Sequence, residues 1–438
     1  MTHRPTFVAT LLFALAAALP SLAQTAPVTA PAPPPPAPAS ILVVPFDPQA
    51  GVPEWLTYAV ADAVTDLVAQ ANQDNFLTLK QLDAVLRRRD LRLTDITDLG
   101  VALPVARAVG ATDLVVGELR RVADRYFVTA RRLHVAKKAV VLETKQDVHV
   151  NELALLPGKV ATALAGVPAS VAAQTTVPAA FESAARCMLD TIRQPLGPYA
   201  RVVLDTQRRV DAEGACAAAL ALDPEHPGAR AALSVLLSST GDYARAREEA
   251  AKARSKRFSA LAWLAESNVL RKLNDDAGAI ALLEKAVAER PGFLHALGYL
   301  GDDYMAEKRY DDALRTFDRY LARAPDHPWA LSRKGKVLAR LKRFDEAVAV
   351  TKRALAVNPG DPELLIELGS RLIDADKDAD AEAALREALE AYPVRPTAYL
   401  RLGYVQLRRK NAAEARTLLE QCVQEAWRED EFRTRGLA

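Results

Sequence analysis

Sliding the sequence against itself by 34 residues brings two unrelated residue types into coincidence. Pro291, Pro325, Pro359 and Pro393 fall 34 apart, and so do Gly301, Gly335, Gly369 and Gly403. A period shared by two residue types constrains the fold more than any composition could: each unit is one supersecondary piece, and the pieces must stack. With the glycine counted as position 8, position 20 is alanine at Ala212, Ala246, Ala279, Ala313, Ala347, Ala381 and Ala415. Position 27 is Ala219, Ala253, Ala286, Tyr320, Ala354, Ala388 and Cys422. Small residues at 8, 20 and 27 let two antiparallel helices approach closely, while large apolar residues at 4, 7 and 24 fill the gaps. Proline at position 32 ends the second helix.

The joint pattern Leu297-x-x-Leu300-Gly301-x-x-Tyr304, Ala313-x-x-x-Phe317 and Pro325 resembles the tetratricopeptide repeat (TPR) consensus. It divides residues 193–429 into seven units, beginning at Arg193, Pro227, Ala260, Leu294, Pro328, Pro362 and Pro396, with a tail over 430–438. The first unit departs from the pattern, carrying Pro195, Gly197 and Pro198 where its first helix should start, and the second has Phe258 in place of the proline. One helix pair cannot bury its apolar face alone, so such units are stable as an array.

The resemblance implies a superhelix whose concave groove is lined by the first helix of each unit, at positions 2, 5, 6, 9, 12 and 13, and which binds extended peptides or partner helices. Those positions hold Asn268, Arg271 and Lys272; Tyr299 and Asp302; Trp329, Arg333, Lys336 and Arg340; Glu363, Glu367 and Asp374; and Arg401, Tyr404 and Arg408. The groove is thus expected to be banded basic, acidic, basic. Arg333, Lys336 and Arg340 share one helical face and could hold a ligand carboxylate; the competing reading is a merely solvated face. The paired Lys and Asn with which relatives capture a terminal carboxylate are not reproduced here.

Upstream, residues 41–166 mix periods. Ile41-Leu42-Val43-Val44, stopped by Pro45, predicts a buried strand, and Trp55 to Gln73 a helix burying Ala59, Val60, Ala63, Val64, Leu67 and Val68. Phe76 to Leu79 reads as a short strand. Helices are expected at Gln81 to Arg89 and at Thr97 to Val109, the latter interrupted near Pro104. Three strands then follow as an antiparallel meander, Asp113 to Leu119, Arg125 to Val135 and Lys138 to His149, closed by a helix from Pro157 to Leu164. The fold class expected is an α/β domain, helices on a mixed sheet, followed by an all-α superhelical solenoid.

Ile41, Val43, Pro45 and Phe46, then Val109-Gly110-Ala111 leading into Leu114-Val115-Val116-Gly117-Glu118-Leu119, then Tyr126 to Arg131, resemble the TolB amino-terminal-like domain. That domain begins the periplasmic propeller protein of the Tol system and precedes repeats in some bacterial adenylate cyclases. The resemblance implies envelope assembly or regulatory recognition and supplies no catalytic residue.

Residues 1–23 have the character of a secretory signal: Arg4, an apolar stretch from Phe7 to Leu19, and Ser21-Leu22-Ala23 before a cut after Ala23. Retention as a membrane anchor is the alternative. No cysteine follows for acylation, and no later stretch approaches the ~20 apolar residues of a spanning helix. A Pro/Ala-rich linker over 24–40 is expected to be extended, and 167–192 reads as a linker followed by a helix from Ala179 to Arg193. The protein is expected to be periplasmic or secreted. Cys187, Cys216 and Cys422 are too few for a disulfide framework and are expected to be buried small hydrophobes.

Formal net charge is +2, from 57 basic and 55 acidic side chains, which provides no field to gather nucleic acid. Arg87, Arg88 and Arg89 form the densest basic run and read as a solvated helix end. No phosphate loop, dinucleotide fingerprint, nucleophile elbow or metal-binding helix motif occurs, and the histidines lack metal spacing and read as surface or capping residues. No cofactor, metal or catalytic residue is implied. The expected function is a non-enzymatic scaffold of the cell envelope that binds protein or peptide partners in the groove. Two other readings stay open: a sensory module whose α/β domain binds a small ligand or cell-wall fragment, and a hydrolase or transferase with an unfamiliar site.

Overall fold

The computed structural model describes residues 40–435 apart from 73–75, 78–85, 87–90, 92, 168–179, 185, 188–205, 255–259 and 394. The expected signal, the Pro/Ala-rich linker, most of the Gln81 to Arg89 helix with its arginine run, and the start of the first unit lie outside these residues.

The α/β part is built on a six-stranded sheet. Its strands are β1 (Ile41–Val43), β2 (Asp47–Pro48), β3 (Phe76–Leu77), β4 (Asp113–Val122), β5 (Arg125–His134) and β6 (Ala139–His149). The order is β3-β1-β4-β5-β6, with β2 also on β4. The pairs made by β1 and by β2 are parallel and the β4-β5-β6 meander is antiparallel, so the sheet is mixed. The two tight turns of the meander each place one residue in left-handed backbone, Ala123 and Lys138. Gly117 is needed where β4 meets β5, since a Cβ there would lie 2.6 Å from the Thr129 carbonyl oxygen.

Helix α1 (Glu54–Asn72) and helix α3 (Leu156–Ala165) bury their apolar stripes on one face of the sheet; α2 (Leu99–Ala108) covers the other with Ile96. Two sheet faces, each with its own apolar layer, explain why β1 reads as an uninterrupted hydrophobic run. The expected break at Pro104 does not occur: α2 runs through it. The carbonyl that loses its N–H partner belongs to Gly100 in the exposed first turn, which is open to solvent, and Asp98 caps that turn.

The remaining helices stack in pairs. After α4 (Thr206–Leu222) come α5 (Pro227–Thr240) with α6 (Tyr243–Arg254), α7 (Ala260–Lys272) with α8 (Asp276–Glu289), and α9 (Leu294–Ala306) with α10 (Tyr310–Arg323). Then come α11 (Pro328–Arg340) with α12 (Phe344–Val357), α13 (Pro362–Asp374) with α14 (Asp378–Ala391), and α15 (Pro396–Arg408) with α16 (Ala412–Arg435). Four of the first helices start with proline at a first-turn position that needs no N–H. His226, His327 and Asp361 cap three of these, accepting from backbone N–H groups of the first turn. The capping reading of His226 and His327 holds, but both are buried rather than on the surface.

The cysteine expectation is corrected. Cys187 and Cys216 form a disulfide, fully buried among Ala184, Ala212, Ala219 and Ala229, while Cys422 is free and only half-buried. A separation of 29 residues conceals what the fold does, which is to bring the two Cα atoms to 4.8 Å. Cys216 occupies position 24 of its unit, where later units place Phe317 or Leu385 against a position-8 glycine. Helical residues 180–184 and 186–187 therefore lie beside α4 where a first helix belongs.

The α/β core and units three to five share one continuous apolar cluster, from Ile41 and Val128 to Phe293, Phe317 and Tyr320. At that junction Gly110, with φ +72, lies so close to His327 that a Cβ would meet its Cα at 2.9 Å. Units six and seven have a separate core around Leu365, Leu385 and Leu402.

Candidate partner-binding groove

The first helices of units three to seven (α7, α9, α11, α13 and α15) carry the groove residues. At the α7 end the charges neutralise one another. The Arg271 guanidinium donates to both carboxylate oxygens of Asp303 at 3.0 and 2.9 Å, donates to the Asn268 amide oxygen at 2.8 Å, and stacks 4.9 Å from the Tyr299 ring centre. These groups are half-buried, and their hydrogen-bonding capacity is largely turned inward.

The centre of the groove is built on Trp329. Its indole lies 6.0 Å from the Phe317 ring and 5.8 Å from Tyr320, and Gly298 gives it room, with a Cβ there falling 3.0 Å from the indole. The Arg333 guanidinium sits 5.4 Å over the indole and 3.4 Å from Asp302. Burial raises the Asp302 carboxyl above its ordinary value, against the pull of Arg333 and Lys336. Burial also lowers the Lys336 ammonium, helped by repulsion from Arg333 and Arg340 and opposed by Asp302 and Glu367.

Farther along, Arg371 joins the same field. Burial lowers its guanidinium, and Arg401 and Arg340 push in the same direction against Asp374, 3.4 Å away, and Glu367. Glu367 itself accepts a hydrogen bond from the Ser332 hydroxyl. Arg333, Lys336, Arg340, Arg371 and Arg401 thus converge over units five to seven. Among the described residues Lys336, Arg340 and Arg401 have no ion-pair partner.

Two further groove candidates stand on α15. Arg408 is held by Asp376 at 2.5 Å and Asp378 at 3.1 Å, and it donates to the Ile373 carbonyl, closing the turn of the preceding unit. Tyr404 is 49% exposed at the end of the array, in line with Leu400 and Leu407. Arg371, which stands at position 10, was missed because only the groove positions of the consensus were read; its signal was Asp374 one turn on, an i, i+3 pair whose cation carries its field into the groove.

Three matches to the tetratricopeptide-repeat family cover residues 270–334, 304–368 and 366–430, the stretch that holds this cluster. Residues 270–430 are tetratricopeptide repeats. Similar solved structures include MamA from Desulfovibrio magneticus RS-1, at 20% identity over 39% of this chain and 97% of that one, with a TM-score of 0.36. YrrB, described as a TPR protein with an unusual peptide-binding site, matches at 21% identity over 38% of this chain and 86% of that one, with a TM-score of 0.32. A TPR protein from Parabacteroides merdae matches at 16% identity over 58% of this chain and 97% of that one, with a TM-score of 0.42. No curated protein matches the sequence.

TPR helices present their groove side chains in register, so the cation cluster is a product of the repeat rather than of any single loop. Among the described residues no group of three His, Cys, Asp or Glu side chains is placed to hold a metal, and no helix is long and apolar enough to cross a membrane. TPR arrays are protein-interaction modules, and none of the matched regions is a catalytic domain.

Proposed function

We propose that the protein is a non-enzymatic scaffold of the bacterial cell envelope, gripping an acidic extended segment of a partner protein in the groove of its TPR units four to seven. One observation carries the reading. Five cations converge there, and three of them lack an ion-pair partner among the described residues; burial lowers Lys336 and Arg371, and repulsion from neighbouring cations adds to it. A carboxylate-bearing partner relieves that repulsion in a half-buried setting, where charge pairs are worth more than on open surface. Trp329 beside the cluster offers a flat apolar anchor of the kind that dominates interface energetics.

The envelope assignment is supported by the signal-like residues 1–23 and by the buried Cys187–Cys216 disulfide, a bond that persists in oxidising compartments. The resemblance of the α/β part to the TolB amino-terminal-like domain supports the same location. Its core, continuous with units three to five, would dock the grip to a larger assembly.

In-cell crosslinking and pulldown from an envelope fraction tests the proposal. Wild type is compared with a triple variant carrying Arg333→Glu, Lys336→Glu and Arg340→Glu, and with Arg353→Glu, an exposed cation paired to Asp326 as a control. A partner captured by wild type and the control but lost in the triple variant supports the groove. Partners that survive the triple reversal rule it out.

A further inference from the structure

The TPR array ends on an apolar face that the described residues leave uncovered. In unit six, positions 5, 9 and 12 are Ile366, Ser370 and Ile373, exposed only 5%, 7% and 6%. In unit seven the same positions are Leu400, Tyr404 and Leu407, exposed 50%, 49% and 51%. They form one stripe at i, i+4 and i+7 on α15. Beside it, α16 presents Ala412, Arg416, Leu419 and Val423 along a second stripe, and together with Leu407 these edge a groove of about 620 Å³. A repeat end that faces water needs a polar outer face. Unit six buries its stripe while unit seven leaves Leu400, Tyr404 and Leu407 half-exposed, and a contiguous exposed apolar face marks an interaction site.

We propose that two copies of the chain join tail to tail through this face about a two-fold axis. A two-fold contact must be self-complementary, with each element meeting its own counterpart. Arg416 and Glu420 satisfy that: they pair across one turn of α16 at 2.9 Å, and both line the groove. Two α16 helices crossing antiparallel near Leu419 set each Arg416 against the partner's Glu420, so one basic and one acidic residue supply both halves of a reciprocal pair. Leu407, Leu419 and Val423 then close over their counterparts as an eighth unit would. Head-to-tail stacking is disfavoured because the other end of the array is occupied by helical residues 180–184 and 186–187, bound to α4 by the disulfide.

Sedimentation equilibrium of the full chain between about 1 and 100 μM tests this, with circular dichroism to verify folding. The expected result is a dimer for wild type and a monomer for Leu407→Glu, a change at a half-exposed position that leaves the array core intact. Val423→Lys, more exposed still at 56%, is a second variant with the same expected result. Arg416→Glu should raise the dimer dissociation constant at least ~10-fold, and combining it with Glu420→Arg should restore it, because the reciprocal pair is rebuilt with its signs exchanged. Wild type that is monomeric at about 100 μM, or a dimer unaffected by both Leu407→Glu and Val423→Lys, overturns the proposal.

Discussion

Gly301 and Phe317 meet so closely that a Cβ on the glycine would lie 2.6 Å from the phenylalanine Cζ. The same fit recurs one and two units on, at 2.6 Å between Gly335 and the Thr351 hydroxyl and at 2.6 Å between Gly369 and Leu385 Cγ. Here the 34-residue period becomes a physical constraint, since helix spacing within each pair is set by a missing side chain. Gly301→Ala should therefore destabilise the array by about 1–3 kcal/mol despite the better helix propensity of alanine, because Phe317 is fully buried and cannot retreat. Gly214 on α4 has nothing within 4 Å, so Gly214→Ala should stabilise by about 0.5–1 kcal/mol. Urea denaturation of the two variants checks both signs.

His327 should make stability fall with acid. Burial lowers its imidazole to about 4, and among the described residues its Nε2 has no hydrogen-bond partner. A pKa lower in the folded than in the unfolded state means that the unfolded chain binds more protons between the two values. The His327 contribution is complete above the unfolded value of 6.5 and is lost as pH falls toward about 4. Between about pH 7.5 and pH 5 the loss from this group should be about 2 kcal/mol. His327→Asn keeps an acceptor for the Ala330 N–H and removes the titration, so denaturation midpoints should depend less on pH in the variant.

Under denaturing but non-reducing conditions one thiol, that of Cys422, should react with a thiol reagent, and three should react after reduction. Burial raises the Cys422 thiol, so in the native protein it should react more slowly than a free cysteine. Replacing Cys187 and Cys216 by serine should cost about 2–4 kcal/mol at the head of the array.

Asp302→Asn should strengthen binding of an acidic peptide. The substitution removes a half-buried carboxylate that opposes the ligand and leaves Arg333 without its 3.4 Å partner. Affinity for a fluorescent oligoglutamate peptide should rise about 3–10-fold at low salt, and the gain should shrink toward 1 M salt as screening sets in. Unchanged affinity, read by fluorescence polarisation, would show that the peptide does not sit beside Asp302.

The repeat made most of this legible in advance. Pro291 to Pro393 and Gly301 to Gly403 mark out the helix pairs, and position alone puts Trp329, Arg333, Lys336 and Arg340 on one first helix. What stayed hidden lay in contacts that no period encodes. Asn274, Lys308, Lys342, Asp376 and Lys410 all adopt left-handed backbone 34 residues apart, yet none is a glycine, the residue that usually announces such a turn. Arg408 reads as a groove cation but reaches back to the previous turn, because a long side chain at the last helical turn finds Asp376 and Asp378 nearer than the open groove. The Cys187–Cys216 bond depends on helical residues that carry no repeat signature, and the Gly110–His327 contact joins residues 217 positions apart.

The continuous core that ties the α/β part to units three to five bears on mechanics. A free solenoid extends like a spring, each joint yielding a little. Here the middle coils share the core of the α/β part, whereas units six and seven keep a core of their own. Load applied through a bound partner would therefore be taken up between Arg340 on one side and Arg371 and Arg401 on the other, so that tension would open or close the spacing of the charges proposed to hold that partner.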